Sequence, residues 1–403
     1  MHPSLLHRAT QRARRAVTEA AAALDRNVIR LTERRMAQGR AASSSAPLRA
    51  APGATDADGL AQPAGERPQQ HAAGSWHTRE RLAELGHVYS HGTLCLPSPF
   101  YPAPEDSPLV ASRGGRGPCG SQIWELTQAS TYQPYWSGAR DSYLRFRENL
   151  TSHARWWRLP RRAEGASPRP VLVLVHGWRA GAHWLSERVF EVSYWLHHGF
   201  DVVAFQLPFH GQRAPDAVAG GARGALFPSG NLARTNEAFG HAIHDLRMLA
   251  AGLRRELGPV NLGALGMSLG GYTAALWAAV TDDLAFAMTI TPASSIAKLM
   301  LARGQSSALT RRAREAGVDE AALDAAFAVH SPLSWAPRLP AERLFVIAGH
   351  GDRITPAEHA QALIDHWRCS SHWFAGGHLA QVGRHGALRA ARLHLRASGI
   401  SGE

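Results

Sequence analysis

From residue 170 onward, short apolar runs alternate with longer helix-like runs, and this alternation restricts the possible folds more than any other feature of the chain. The strand-like runs are Val171–Val175, Asp201–Gln206, Val260–Leu265, Leu284–Ile290, Leu344–Ala348 and His372–Phe374. Helix-like stretches lie between them near 182–197, 232–257, 269–280, 356–367 and 379–396. Apolar strands separated by helices predict an α/β fold, a mostly parallel sheet with helices on both faces. Residues 292–340 break the pattern with helical pieces and Pro292, Pro332, Pro337 and Pro340. An excursion of that length between two strands predicts a cap or lid over the strand ends. The regular core is then 166–291 and 341–397, within a chain of 403 residues that is long enough to bury a full core.

Upstream of this core the organisation is looser. Residues 1–40 predict a basic amphipathic helical segment. Val17, Ala21, Leu24, Val28 and Leu31 share one face, with Arg26, Arg30 and Arg34 on another. Such a helix docks on its own protein or on a partner. Its Arg-rich, acid-poor composition also resembles a transit peptide or a surface-binding helix, which would bring peripheral contact with a membrane. Residues 41–75, rich in Ala, Pro, Gly and Ser, predict a disordered linker. Residues 76–165 carry many aromatics interrupted by Pro and Gly, and predict an N-terminal extension that supplies the first strands of the sheet.

The formal charge of +12 carries little functional information. Ten arginines and three acidic residues fall within residues 1–50, and Lys298 is the only lysine among 44 basic residues. No zinc-finger or RNA-binding signature accompanies the charge, so no nucleic-acid partner is expected. Cys95, Cys119 and Cys369 are odd in number and far apart, which excludes a disulfide scaffold or a CxxC zinc cluster and suits a reducing, cytoplasmic compartment. No apolar run reaches the length of a membrane span.

The chemistry is concentrated at the ends of the strand-like runs. Gly266-Met267-Ser268-Leu269-Gly270 fits G-x-S-x-G. In a chain of this composition the motif arises by chance roughly one time in four. Its setting, directly after Val260–Leu265 and directly before a helix-like run, is the strand–turn–helix context in which a serine is held strained and exposed. A serine hydroxyl needs a base, and the base needs an orienting carboxylate. His378 in Gly376-Gly377-His378 follows the last strand-like run. Asp352 in Gly349-His350-Gly351-Asp352-Arg353-Ile354-Thr355-Pro356 follows Leu344–Ala348. Both sit where active sites of open α/β sheets gather.

Two further loops face the same mouth. In His176-Gly177-Trp178, after Val171–Val175, the glycine lets backbone N–H groups turn toward a developing oxyanion. The backbone N–H groups of Leu269 and Trp178 are the expected donors, with His176 a structural residue bonding loop backbone. The loop Leu207-Pro208-Phe209-His210-Gly211-Gln212-Arg213 is expected to flank the pocket. Gly177, Phe209, His210 and Arg213 are therefore candidate substrate contacts, although His210 reads equally well as structural.

With these residues in view, the segment from about 170 to 396 resembles the α/β-hydrolase fold of serine esterases, lipases and peptidases. The resemblance rests on HGW at 176–178, PFHG at 208–211, GMSLGG at 266–271, GHGDRITP at 349–356 and GGH at 376–378. It implies Ser268 as nucleophile, Asp352 as acid and His378 as base. The loop Leu-Pro-Phe-His-Gly departs from the D-x-x-G-H-G form common in the family, and PFHGQRAP…FPSG is similar to a poorly characterised intracellular branch. The expected activity is hydrolysis of a small-molecule or lipid carboxylic ester through an acyl-enzyme, with no metal and no organic cofactor. A peptidase or amidase on the same fold, a lipid deacylase at a membrane surface, and an inert hydrolase-like binding module are the alternatives.

Overall fold

Strand pairing sets the architecture. The computed structural model describes residues 5–45 (side chains for 10–32), 79–90, 92–163, 165–215, 224–303 and 317–402. Nine strands form one sheet in the order β1-β2-β3-β5-β4-β6-β7-β8-β9. They are β1 (Val110–Arg116), β2 (Gln122–Ala129), β3 (Thr151–Arg158), β4 (Val171–Val175), β5 (Asp201–Phe205), β6 (Leu262–Met267), β7 (Phe286–Ile290), β8 (Leu344–Gly349) and β9 (Ser370–Phe374). The pairs β1–β2, β2–β3 and β3–β5 are antiparallel, and every pair from β5 across to β9 is parallel. The chain therefore has an α/β-hydrolase architecture, with the aromatic-rich segment supplying an antiparallel front.

Both faces of the parallel part are buried, so its strands read as unbroken apolar runs rather than alternating ones. Side chains still point to opposite faces in turn. Val171, Val173 and Val175 join one core, while Leu172 and Leu174 join the other. Adjacent Trp156 and Trp157 in β3 split the same way, and both are fully buried.

Among the described residues, the helices of eight residues or more are α1 (Leu5–Ser45), α2 (Arg79–Ser90), α3 (Leu232–Leu257), α4 (Leu269–Val280), α5 (Ile296–Arg303), α6 (Glu320–Phe327), α7 (Ala357–Trp367) and α8 (Arg384–Ala397). Residues of α2, α3, α4 and α7 fill the first core, and those of α8 and of the short helix Val192–His197 fill the second. Asn231 starts α3 by accepting from the N–H of Arg234 at 2.9 Å. The stretch near 182–197 is two helices, His183–Val189 and Val192–His197, separated by Glu191 at φ 51°. The Glu191 carboxylate binds Arg384 and His385, each at 3.0 Å, tying this break to α8. Among the described residues no helix is long and apolar enough to cross a membrane.

Helix α1 runs past residue 40 to Ser45, and the rest of the expected linker up to 75 lies outside the described residues. Its docked face shares only part of the apolar stripe expected, at Ala21 and, on the cavity wall, Val28. Ala21, Ala22 and Asp25 are the buried positions, whereas Leu24 and Leu31 are 45% and 56% exposed. Contact with the β8 and β9 loops is close, so small side chains occupy the seam. Of the excursion 292–340, α5 and α6 are described and residues 304–316 are not. Helix α6 packs against α2, and α5 lies beside the site.

One expected substrate contact proves to be part of the core. Arg213 and Asp245 are both 0% exposed and pair at 2.6 Å. Arg213 also donates to the carbonyls of Gln206 and Asn149, and Asp245 is held as well by His241 and Ser130. Burial alone would raise the Asp245 carboxyl, but His241 and Arg213 outweigh it and hold it below the ordinary carboxylate range. Removing one partner of a buried pair costs about 3–5 kcal/mol, because the other is left uncompensated. Asp245→Ala is expected to lose that much in urea unfolding, and the joint Arg213→Met/Asp245→Leu replacement to lose less. Equal loss in both proteins would contradict this reading of the pair.

Candidate active site

The turn at Ser268 is dictated by close packing. Strand β6 ends at Met267 and α4 begins at Leu269, leaving Ser268 alone between them at φ 57°, ψ −117°. A Cβ on Gly266 would lie 2.0 Å from the carbonyl oxygen of Gly270, and one on Gly270 would lie 1.8 Å from that of Val175. Neither position can carry a side chain, which is the physical content of the G-x-S-x-G spacing. The strained serine, at a cost of about 1–3 kcal/mol, is over-determined by its backbone. Its N–H donates to the Ile290 carbonyl at 3.0 Å, and its own carbonyl accepts from Tyr272 and Ala293 at 3.0 and 3.3 Å.

Asp352 and His378 meet at the carboxyl ends of β8 and β9. His378 Nδ1 lies 2.8 Å from Asp352 Oδ2, and both side chains are buried. The other carboxylate oxygen accepts from the N–H groups of Ile354 and Thr355, each at 2.8 Å. Thr355 Oγ1 lies 2.9 Å from Asp352 Oδ2, 3.0 Å from His378 Nδ1 and 3.0 Å from the Thr291 carbonyl. An ionised carboxylate only accepts, so this network assigns the ring proton to Nδ1 and leaves Nε2 as the basic nitrogen.

Ser268 and His378 line one cavity of about 640 Å³. No hydrogen bond joins the Ser268 hydroxyl to the imidazole among the described residues. In sites without substrate such bonds are often long and tighten in the complex. Gly177, Trp178 and Leu269 line the same cavity. A Cβ on Gly177 would sit 3.4 Å from Ser268 Cβ, so the glycine keeps the approach to the hydroxyl open. The next residues are fixed: Trp178 Nε1 donates to the Gly224 carbonyl at 2.8 Å, and the Arg179 guanidinium covers the Trp178 ring. Most of the remaining lining is apolar, including Leu185, Phe190, Ile296, Leu299 and Met300.

Phe209, His210 and Arg213 are corrected here: all three are fully buried and none lines the cavity. His210 packs beside His176, and Phe209 against Tyr143 and Phe146. His176 straps the loops together, accepting from the Leu207 N–H at 3.1 Å and contacting the Gly177 carbonyl at 2.8 Å.

Three features of the site escape a reading of the sequence. Thr355 is one; the Asp-x-x-Thr-Pro run that contains it looks like a helix cap. The second is Asp25 on α1, fully buried, which accepts from the backbone N–H groups of His378, Leu379 and Arg353 at 2.8, 3.2 and 3.1 Å. No local pattern in an Arg-rich helix marks it. The third is the wall that Val28, Ile29 and Thr32 give the cavity.

Comparison with known proteins agrees with this architecture. Residues 170–313 match the family model described as the alpha/beta hydrolase fold. That segment is similar to the alpha/beta-hydrolase superfamily, and the chain has its fold. The uncharacterized protein MT2702 of Mycobacterium tuberculosis (strain CDC 1551 / Oshkosh) is 28% identical over 329 residues, which are 80% of this chain and 76% of that one. The uncharacterized protein Rv2627c of Mycobacterium tuberculosis (strain ATCC 25618 / H37Rv) is 31% identical over 238 residues, 58% of this chain and 55% of that one. Among solved structures, an acetyl xylan esterase from Paenibacillus sp. R4 superposes with a TM-score of 0.53 at 13% identity, over 81% of this chain and 98% of that chain. That likeness concerns the fold.

Burial lowers His176 to about 4 and both His183 and His210 to about 3, from an ordinary 6.5. These groups stay neutral in the folded protein while the unfolded chain takes up protons as pH drops below 6.5. Their contribution is intact above that value and is lost as pH falls toward the folded values. The melting temperature is therefore expected to decline from pH 7 to pH 4 in scanning calorimetry. A constant melting temperature across that range would show that these rings are not buried as neutral groups.

Proposed function

We propose that this protein is a serine hydrolase that cleaves a carboxylic ester with an apolar acyl group. The observation that carries the reading is the Asp352–His378 hydrogen bond at 2.8 Å, opening onto the cavity that also exposes the strained Ser268.

In the first step Ser268 Oγ attacks the ester carbonyl carbon while His378 Nε2 takes the hydroxyl proton. Asp352 holds the ring in the required tautomer and stabilises the imidazolium. The carbonyl oxygen becomes an oxyanion facing the N–H groups of Leu269 and Trp178. Leu269 opens α4, so its N–H has no acceptor within the helix and points along the positive end of the dipole. Loss of one such donor typically costs about 10²–10³ in rate. His378 then gives its proton to the departing alkoxide, leaving Ser268 acylated. Water attacks the acyl carbon, loses a proton to His378, and the serine is released as the acid leaves.

An apolar acyl group fits the lining better than a charged or sugar-like one. Leu185, Phe190, Ile296, Leu299 and Met300 offer hydrophobic surface and few hydrogen-bond partners. Each methylene buried there contributes about 0.8 kcal/mol. Turnover of p-nitrophenyl esters is accordingly expected to rise in kcat/KM from acetate to medium-chain acyl groups. Ser268→Ala should reduce it by at least about 10³-fold. Aminoacyl p-nitroanilides, assayed alongside, are expected to be poor substrates. Undiminished ester turnover in Ser268→Ala would refute the nucleophile, and a preference for the anilides would make the protein an amidase.

A further inference from the structure

We propose that α1 belongs to the active site, with Asp25 acting as a positioning residue that holds the acid loop and the base loop against one another. The inference rests on the serine-hydrolase reading above.

A buried carboxylate is costly. Asp25 is 0% exposed, on a helix whose neighbouring positions Leu24, Arg26 and Asn27 face solvent. An ionised carboxyl taken out of water is strongly destabilising unless hydrogen bonds replace its hydration. Here the replacement comes from three backbone N–H groups. Asp25 Oδ2 accepts from His378 at 2.8 Å and from Arg353 at 3.1 Å, and Oδ1 accepts from Leu379 at 3.2 Å. Hydrogen bonds to a charged acceptor are roughly twice as strong as neutral ones. The three donors are the base itself, the residue after it, and the residue after Asp352. One carboxylate thus bridges the two loops that carry the Asp–His pair.

Both loops are shaped to receive the helix. A Cβ on Gly377 would lie 2.7 Å from Asp25 Oδ2, so only glycine leaves room for the carboxylate. A Cβ on Gly351 would lie 2.8 Å from the Thr18 carbonyl and 3.3 Å from Ala21 Cβ. Two turns before Asp25, Thr18 Oγ1 donates to the Ala375 carbonyl at 2.8 Å, in the loop that carries His378. Further along α1, Val28, Ile29 and Thr32 reach the cavity wall. The same helix therefore fixes the base and encloses the space beside it.

The sheet does not need this carboxylate to join the two loops. The N–H of Gly351 already donates to the Gly376 carbonyl at 2.9 Å, and that of His350 to the Phe374 carbonyl at 3.0 Å. What Asp25 adds is the position of the His378 backbone relative to Asp352 and Ser268. Misplacement of a reacting group by about 1 Å is worth on the order of 10²-fold in rate.

The test uses the full chain with Asp25→Asn, Asp25→Ala and, as a control on the exposed side of α1, Arg26→Gln. Active sites are titrated with a fluorophosphonate, and kcat and KM for a medium-chain p-nitrophenyl ester are expressed per titrated site. This removes any effect of a smaller folded fraction. Asn keeps the shape but sets an NH2 group against a backbone N–H. The expected result is a fall in kcat per site of about 10–10²-fold in Asp25→Asn, a fall at least as large in Asp25→Ala, little change in KM, and wild-type constants in Arg26→Gln. Should Asp25→Ala fail to fold, Asp25→Asn carries the test. Wild-type kcat per site in the Asp25 variants, with only the melting temperature lowered, would overturn the proposal. Failure of the underlying reading looks different: Ser268→Ala would then be labelled and active like the wild type.

Discussion

The site depends on an approach of backbone to backbone. Where β6 passes into α4, the Cα of Gly270 lies against the Val175 carbonyl and that of Gly266 against the Gly270 carbonyl, leaving no space for a Cβ at either. This contact locks β4, β6 and α4 into one unit and forces the intervening serine to a positive φ. The strain at Ser268 is offset by the surrounding structure, since β4, β6 and β7 lie buried between two hydrophobic cores. Because the sheet is parallel from β5 to β9, the loops after β4, β6, β8 and β9 all emerge on one edge. Four distant segments of sequence therefore reach a single cavity.

Around this turn, polar groups are fixed by accounting for their hydrogen bonds. Asp352 receives two backbone N–H groups, the Thr355 hydroxyl and His378, so its orientation is fixed before any substrate arrives. His176 fixes the β4 loop from below and stays neutral because it is buried. Polar groups held this way are preorganised, which the proposed hydrolysis would use in stabilising an oxyanion.

That Ser268, Asp352 and His378 lie just beyond the ends of apolar strands is legible in the sequence, and the strand ends of a parallel sheet are where such groups can meet. The helix-like runs expected near 232–257 and 269–280 are helices Leu232–Leu257 and Leu269–Val280 in the structure. Arg213 misled because a loop arginine beside the pocket looks like a substrate contact; only the fold reveals Asp245, 32 positions away, as its partner. The apolar stripe of α1 holds at Ala21 and Val28 and fails at its two leucines. Periodicity finds the large residues, Leu24 and Leu31, but a seam this close is built from Ala21, Ala22 and a carboxylate. Thr355 and Asp25 bond to backbone groups of other segments, and such partners leave no trace in local sequence.

Ser268 is proposed as an activated nucleophile at the mouth of this cavity. The most direct measurement is intact-mass analysis followed by peptide mapping after exposure to a fluorophosphonate. One adduct per chain, on the peptide that contains Ser268 and absent after heat denaturation, is the result expected. An adduct at another residue, or none on the folded protein, would contradict it.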